Sequence, residues 1–240
     1  MSETHIVSSF SDDIAEIESE VLEMGKLVED QLKNALLALK NEDRSIAKQV
    51  LRSDGRINEL EASLNDNAIK VLALRQPVAI DLRFVVMSLK IARHLERVGD
   101  YAKNIARRTN TITKADAFIG SVDTMARMGD MVHAMILKAM NAYKNKDEAL
   151  AHDLRSDDEA VDRMHNTLFR ELLTYMMEDA GNVAGSIHLL LMAKNLERMG
   201  DHIADIAQET IYMVTGKWPD GRRAKGDKTS KMIVEIDEEF

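Results

Sequence analysis

The hexapeptide Leu95-Glu96-Arg97-Val98-Gly99-Asp100 returns with a single substitution as Leu196-Glu197-Arg198-Met199-Gly200-Asp201, 101 residues further along the chain. Two earlier markers repeat at a slightly longer offset. Met24-Gly25-Lys26-Leu27-Val28 matches Met128-Gly129-Asp130-Met131-Val132, and Ser53-Asp54-Gly55-Arg56-Ile57-Asn58 matches Asp157-Asp158-Glu159-Ala160-Val161-Asp162, both 104 residues apart. Self-similarity at a nearly fixed offset marks an internal duplication. The change of offset places a three-residue deletion in the second copy, in the stretch where Pro77 has no counterpart.

Within each copy the apolar periodicity is helical. Ile14, Ile17, Val21, Met24 and Val28 advance by threes and fours, which predicts a bundle-facing helix from Phe10 to near Lys40. Asn41, Glu42 and Asp43 interrupt it. A second stripe through Ile57, Leu60, Leu64 and Val71 predicts a helix to near Arg75. Pro77 disfavours helical geometry at Gln76 but suits an early helical position, so a third helix is expected from there to near Thr113. Short connections favour antiparallel neighbours. The expected fold is all-α: two homologous antiparallel three-helix bundles in tandem. Residues 1–114 form the first, residues 115–216 the second, with the junction at Lys114 to Phe118 and an irregular tail over 217–240.

Composition bounds the function. Of 240 residues, 45% are hydrophobic, enough for a substantial core, while aromatics at 4% and 2 prolines fit long helices. There is no cysteine, so disulfides, thiolate metal sites and cysteine nucleophiles are excluded, and a reducing compartment is expected. Residues 1–13 lack a basic segment followed by an apolar core, and no apolar run reaches the ~18 residues of a membrane span, so the expected location is the cytoplasm. A net charge of -9, with no basic stripe interleaved with aromatics, argues against a nucleic-acid partner.

The chemistry lies in oxygen donors at helical spacing. Glu96, Asp100 and Asn104 recur at i, i+4 and i+8 on the third helix, and Glu197, Asp201 and Asp205 do so on the sixth. Asp54, Asn58 and Glu61 line the second helix; Asp158, Asp162 and His165 stand at the corresponding places on the fifth. If neighbouring helices run antiparallel, these faces converge into a patch suited to hard cations. Single acid pairs of this kind usually sit on solvated helix faces. Arg93 and Lys103 stand within helical reach of Glu96 and Asp100 respectively. On the sixth helix only Lys194 is within helical reach of Glu197, and stacked like charges repel by ~0.2–0.5 kcal/mol per exposed pair.

Gly99 and Gly200 interrupt strong helices at a cost of about 1 kcal/mol each relative to alanine, which signals a close approach, either tight packing or room for an ion. Arg97 and Arg198 point about 100° away from the acid rows, toward a neighbouring helix or a partner. His94, His133, His152, His165, His188 and His202 are scattered without catalytic grouping; only His165, at the place of Glu61, reads as a ligand. Met176, Met177 and Met192 are expected to fill core gaps.

These residues resemble the PhoU family along almost the whole chain: RQPVAIDLR at 75–83, LERVGDYAKNIARRT at 95–109, LLTYMMED at 172–179 and LERMGD at 196–201. The resemblance implies a cytoplasmic negative regulator without catalytic activity. Such a protein would connect the ATPase of the high-affinity phosphate ABC transporter to a membrane sensor histidine kinase, reaching the membrane only through those partners. It would keep the phosphate regulon off when phosphate is plentiful. The resemblance also implies multinuclear metal clusters, of iron or of manganese, magnesium or zinc, at Asp54, Asn58, Glu96 and Asp100 and at Asp158, Asp162, Glu197 and Asp201. The amide of Asn58 and the imidazole of His165 depart from an all-carboxylate pattern and imply that the two sites differ.

Two other readings stay open. A ferritin-like di-metal carboxylate protein also places acids on facing helices, but it uses Glu-x-x-His pairs, and no glutamate here is followed by histidine at the third position. Asp130 with His133 and Asp162 with His165 come nearest. The other is a metal-free helical scaffold. No glycine-rich cradle opens a helix to hold phosphate directly. Self-association, as a dimer, is expected from amphipathic helices with acidic faces.

Overall fold

The computed structural model describes residues 3–109, 111 and 119–219, with side chains from residue 10 and, in the second half, from residue 120. The junction at Lys114 to Phe118 and the tail from residue 220 onward therefore lie outside the described residues. Six α-helices make up the described chain: α1 Glu3–Lys40, α2 Arg44–Arg75, α3 Ala79–Thr109, α4 Ile119–Asn145, α5 Glu148–Glu178 and α6 Val183–Thr215. The all-α expectation holds, as does the division into two sets of three.

The duplication is visible in the turns. Glu42 and Lys146 both take left-handed backbone conformations, φ 51° and 54°, and the next residue in each case caps a helix. Asp43 accepts from the amides of Ser45 and Ile46 at 2.7 and 3.2 Å, and Asp147 accepts from that of Leu150 at 3.0 Å. Each carboxylate satisfies amides that the first helical turn leaves without partners. At the other connection the copies diverge. Gln76 is left-handed at φ 48°, as the following Pro77 disfavours the right-handed helical region, and α3 begins only at Ala79. Pro77 thus stands outside the helix it was expected to open. In the second copy a short 3-10 turn, Ala180–Asn182, makes the equivalent link.

α1 and α2 run antiparallel: Arg75 pairs with Asp13 at 2.9 Å at one end, and Gln31 donates to Ser53 at 3.2 Å toward the other. α4 and α5 do likewise, with Ser121 donating to Glu171 at 2.8 Å and Lys138 pairing with Asp157 at 2.8 Å. The cores are aliphatic and Met-rich, with Ile17, Met24, Leu64, Leu95, Met125, Leu168, Met192 and Leu196 all fully buried. Met177, expected to join them, is instead 83% exposed near the end of α5.

The two bundles pack on each other through α1 against α4 and α3 against α6. Gly25 receives the Met140 side chain and Gly129 receives that of Leu36, so the same contact occurs twice with the copies exchanged. The pair sits about a local twofold axis. Tyr143 adds an asymmetric anchor: it is fully buried, bonds Ser88 of α3 at 2.9 Å and stacks on Phe84.

Candidate metal centre

In the first bundle the antiparallel packing of α2 on α3 brings Asp54, Glu61, Glu96 and Asp100 into one neighbourhood. Lys103 donates to Asp54 across the helix pair and lies 3.7 Å from Asp100. Its ammonium is held above its ordinary pKa, first by the bond to Asp54 and against the opposing effect of burial. Burial, then the charge of Asp100 and, beyond Arg97, that of Glu61, push the Glu96 carboxyl up. Glu61, Glu96 and Asp100 therefore share one field. Asn58 is exposed, and Asn104 is turned to Arg107, which donates to it at 3.3 Å.

Two expectations are corrected here. The ion pair on Glu96 comes from Arg97, at 3.4 Å, rather than from Arg93, and Arg97 also reaches Asp100 at 3.3 Å. A direction of about 100° at the Cα does not commit an arginine, because its long flexible stem folds back along the helix.

The second bundle is drier. Asp158, Asp162 and Glu197 are 1%, 2% and 3% exposed, and His165 is buried beside them on α5. Lys194 stands 2.8 Å from the Glu197 carboxylate, as its spacing predicts. Gly200 explains its own presence: a Cβ there would lie 3.0 Å from Asp158 Oδ1, so α6 leaves space directly in front of that carboxylate. Gly99 answers to packing, since a Cβ would lie 3.0 Å from Ile57 Cδ1 and 3.2 Å from Gln31 Oε1. The position of Lys103 is taken in the second copy by Ala204.

Asp205 leaves the acid row. Four residues advance an α-helix by about 400°, so each step of i+4 drifts some 40° and Asp205 stands some 80° around from Glu197. That drift turns it to the α3–α6 interface, where His94, His202 and Asp205 offer ligand atoms all within 4.8 Å of one another. The imidazole Nδ1 atoms of His94 and His202 are 2.9 Å apart. Burial, then His202, Lys90 and Arg93, hold His94 down to about 4. The histidines are thus not scattered as their sequence positions suggest. Only the antiparallel pairing of the two bundles brings residues 94 and 202 together, and no spacing rule within one helix signals it. Asp201 is half-buried one turn before Asp205.

Comparison with known proteins agrees with the duplicated architecture. The PhoU domain family matches twice, over residues 21–109 and 125–210. The chain is 37% identical over 232 residues to the phosphate-specific transport system accessory protein PhoU homolog of Rhizobium meliloti, covering 97% of this chain and 98% of that one. It is 39% identical over 227 residues to the protein of the same description from Caulobacter vibrioides, covering 95% and 99%. The crystal structure of PhoU from Pseudomonas aeruginosa superposes with a TM-score of 0.80 at 34% identity, over 87% of this chain and all of that one. The phosphate transport system regulatory protein PhoU from Streptococcus pneumoniae gives a TM-score of 0.80 at 27% identity, over 88% and 99%. With the duplication and the six helices accounted for, the chain belongs to the PhoU family.

Proposed function

We propose that this protein is an accessory regulator of phosphate uptake that acts in the cytoplasm by contact and without catalysis. It links the ATPase of a high-affinity phosphate transporter to a sensor histidine kinase and keeps the phosphate response off when phosphate is abundant. The observation that carries the reading is the end-to-end match to proteins described as phosphate-specific transport system accessory proteins, over 97% of this chain and 98% of the relative in one case. Among the described residues no helix is long and apolar enough to cross a membrane, which fits attachment through partners.

The same reading assigns the acidic faces to metal. The second bundle fits a hard divalent cation best: Asp158, Asp162 and Glu197 are each almost fully buried on two packed helices, and Gly200 keeps the space before Asp158 open. Asp158, Asp162, Glu197 and Asp201 would hold it, with His165 at the edge. A bound cation would supply charge neutralisation and a crosslink between α5 and α6. Asp54, Asn58, Glu61, Glu96, Asp100 and Asn104 form the weaker counterpart, because the Lys103 ammonium already neutralises Asp54. That pair favours a metal-free first bundle.

The test is alkaline phosphatase activity in a strain lacking the gene, grown in excess phosphate, with and without the gene restored. High activity suppressed on restoration supports the regulatory reading; activity that stays low in the deletion strain refutes it.

A further inference from the structure

The interface between the bundles carries a second kind of donor set. His94 projects from α3, while His202 and Asp205 stand at i and i+3 on α6 and so share a face. All three side chains are partly buried, with their ligand atoms within 4.8 Å of one another. This set breaks the duplication. The copy-exchanged positions are Asn195, Tyr101 and Asn104, none of which brings an imidazole or a carboxylate. The exchanged positions thus carry two amides and a phenol where this set carries two imidazoles and a carboxylate.

We propose that His94, His202 and Asp205 form a mononuclear site for a borderline divalent transition metal, with zinc as its representative, clamping the first bundle to the second. Imidazole nitrogen selects such ions over magnesium or calcium, which prefer all-oxygen shells. Metal–nitrogen bonds of about 2.0–2.1 Å at angles between 90° and tetrahedral place two ligand nitrogens about 2.8–3.4 Å apart. The 2.9 Å between the two Nδ1 atoms lies at the lower end of that range.

The surroundings fix the ligands. Tyr101 stacks on His202 with ring centroids 5.7 Å apart and an interplanar angle of 26°, which sets the plane of that imidazole. Gln208 donates to Asp205 Oδ1 at 3.3 Å, the outer-shell support typical of metal carboxylates. Lys90, the nearest ammonium, is drawn aside by Glu209 at 3.3 Å. Three protein ligands leave at least one coordination position for water or a partner's side chain.

Titration of the full chain with zinc chloride, magnesium held in excess to saturate the carboxylate faces, is expected to show one tight equivalent. It should raise the melting temperature. The substitutions His94→Asn, His202→Tyr and Asp205→Asn each install the residue that the other copy carries at that place, so the fold has a precedent for every one. Each is expected to weaken zinc binding at least about tenfold, since loss of outer-shell support alone costs that much. Each should also abolish the visible absorption of the cobalt(II)-substituted protein. His152→Asn, at an exposed imidazole on α5 outside both metal sites, is expected to leave both readouts unchanged. Equal zinc affinity in the three interface variants and the unaltered chain overturns the proposal, as does absence of a tight equivalent or its loss in His152→Asn.

Discussion

His133 Nε2 stands 3.1 Å from Glu29 Oε1 across the α1–α4 interface, and the two residues occupy the same position in the two copies of the duplication. A contact between duplicated positions can arise only near the twofold axis. Divergence there has produced a complementary pair from what an exact repeat would make two like charges. Lys33 and Lys26 complete the cluster at 2.6 and 2.9 Å. Burial alone would raise the Glu29 carboxyl, but hydrogen bonds from Lys33, His133 and Lys26 outweigh it and hold it down to about 2.

The sign of the pH dependence follows. A carboxyl whose folded pKa lies below its unfolded value contributes stability that is present above the unfolded value, here 4.5, and lost as pH falls toward about 2. Glu29→Gln is expected to destabilise the protein by about 2 kcal/mol at pH 7, the scale of charge-assisted hydrogen bonds lost from a buried acceptor. Its deficit should shrink as pH falls from 4.5 toward 2. Urea denaturation at pH 7 and pH 3 measures both; a deficit independent of pH contradicts the assignment.

The paired glycines of the same interface should respond unequally. Alanine in a helix gains about 1 kcal/mol over glycine where space allows. At Gly25 the new methyl meets the far end of Met140, an unbranched side chain that can turn away. At Gly129 it meets both branches and the Cγ of Leu36, which cannot retreat without moving the helix. Gly25→Ala should therefore fall within about 1 kcal/mol of neutral, and Gly129→Ala should cost about 1–3 kcal/mol by overpacking. Thermal melts of the two variants decide it.

Most of the architecture was legible because it rests on local pattern. The stepped stripe from Ile14 to Val28, the break at Asn41 to Asp43 and the repeat of Leu95 to Asp100 each specify something a short window can hold. Legibility ended where long-range pairing begins. Residues 94 and 202 meet only because α3 and α6 pack antiparallel, and Asp205 joins them through helical drift that a reading of i, i+4, i+8 as one straight row overlooks. Arg97 departs from expectation because a Cα direction underdetermines a five-bond side chain, and Met177 because its apolar character does not say which face of α5 is covered.

Lys103 offers a direct test of how the two acidic faces differ. Its ammonium lies against Asp54 and near Asp100, where a divalent cation would otherwise gain most, and its repeat partner is Ala204. Lys103→Met keeps most of the buried stem and removes the charge. Manganese titration is expected to show one class of site in the unaltered chain and a second, in the first bundle, in the variant. Removing a paired lysine also leaves buried negative charge, so the variant should lose stability without metal and regain it on manganese addition. A variant that binds no additional manganese would assign Lys103 a purely structural part.

Gly200 separates metal space from packing space. In α6 a methyl at this position would come to 3.0 Å from Asp158 Oδ1 and 3.6 Å from Val161 Cγ1. In α3 the corresponding methyl meets Ile57 and Gln31, away from the carboxylates. Both substitutions gain the same helix propensity of about 1 kcal/mol and both crowd a neighbouring helix, so their stabilities should change by similar small amounts. Their metal binding should not. Gly200→Ala crowds the Asp158 carboxylate and is expected to weaken manganese binding about tenfold, while Gly99→Ala leaves it unaltered. Calorimetric titration of the two variants measures this contrast, and equal affinities would mean that both glycines serve helix packing alone.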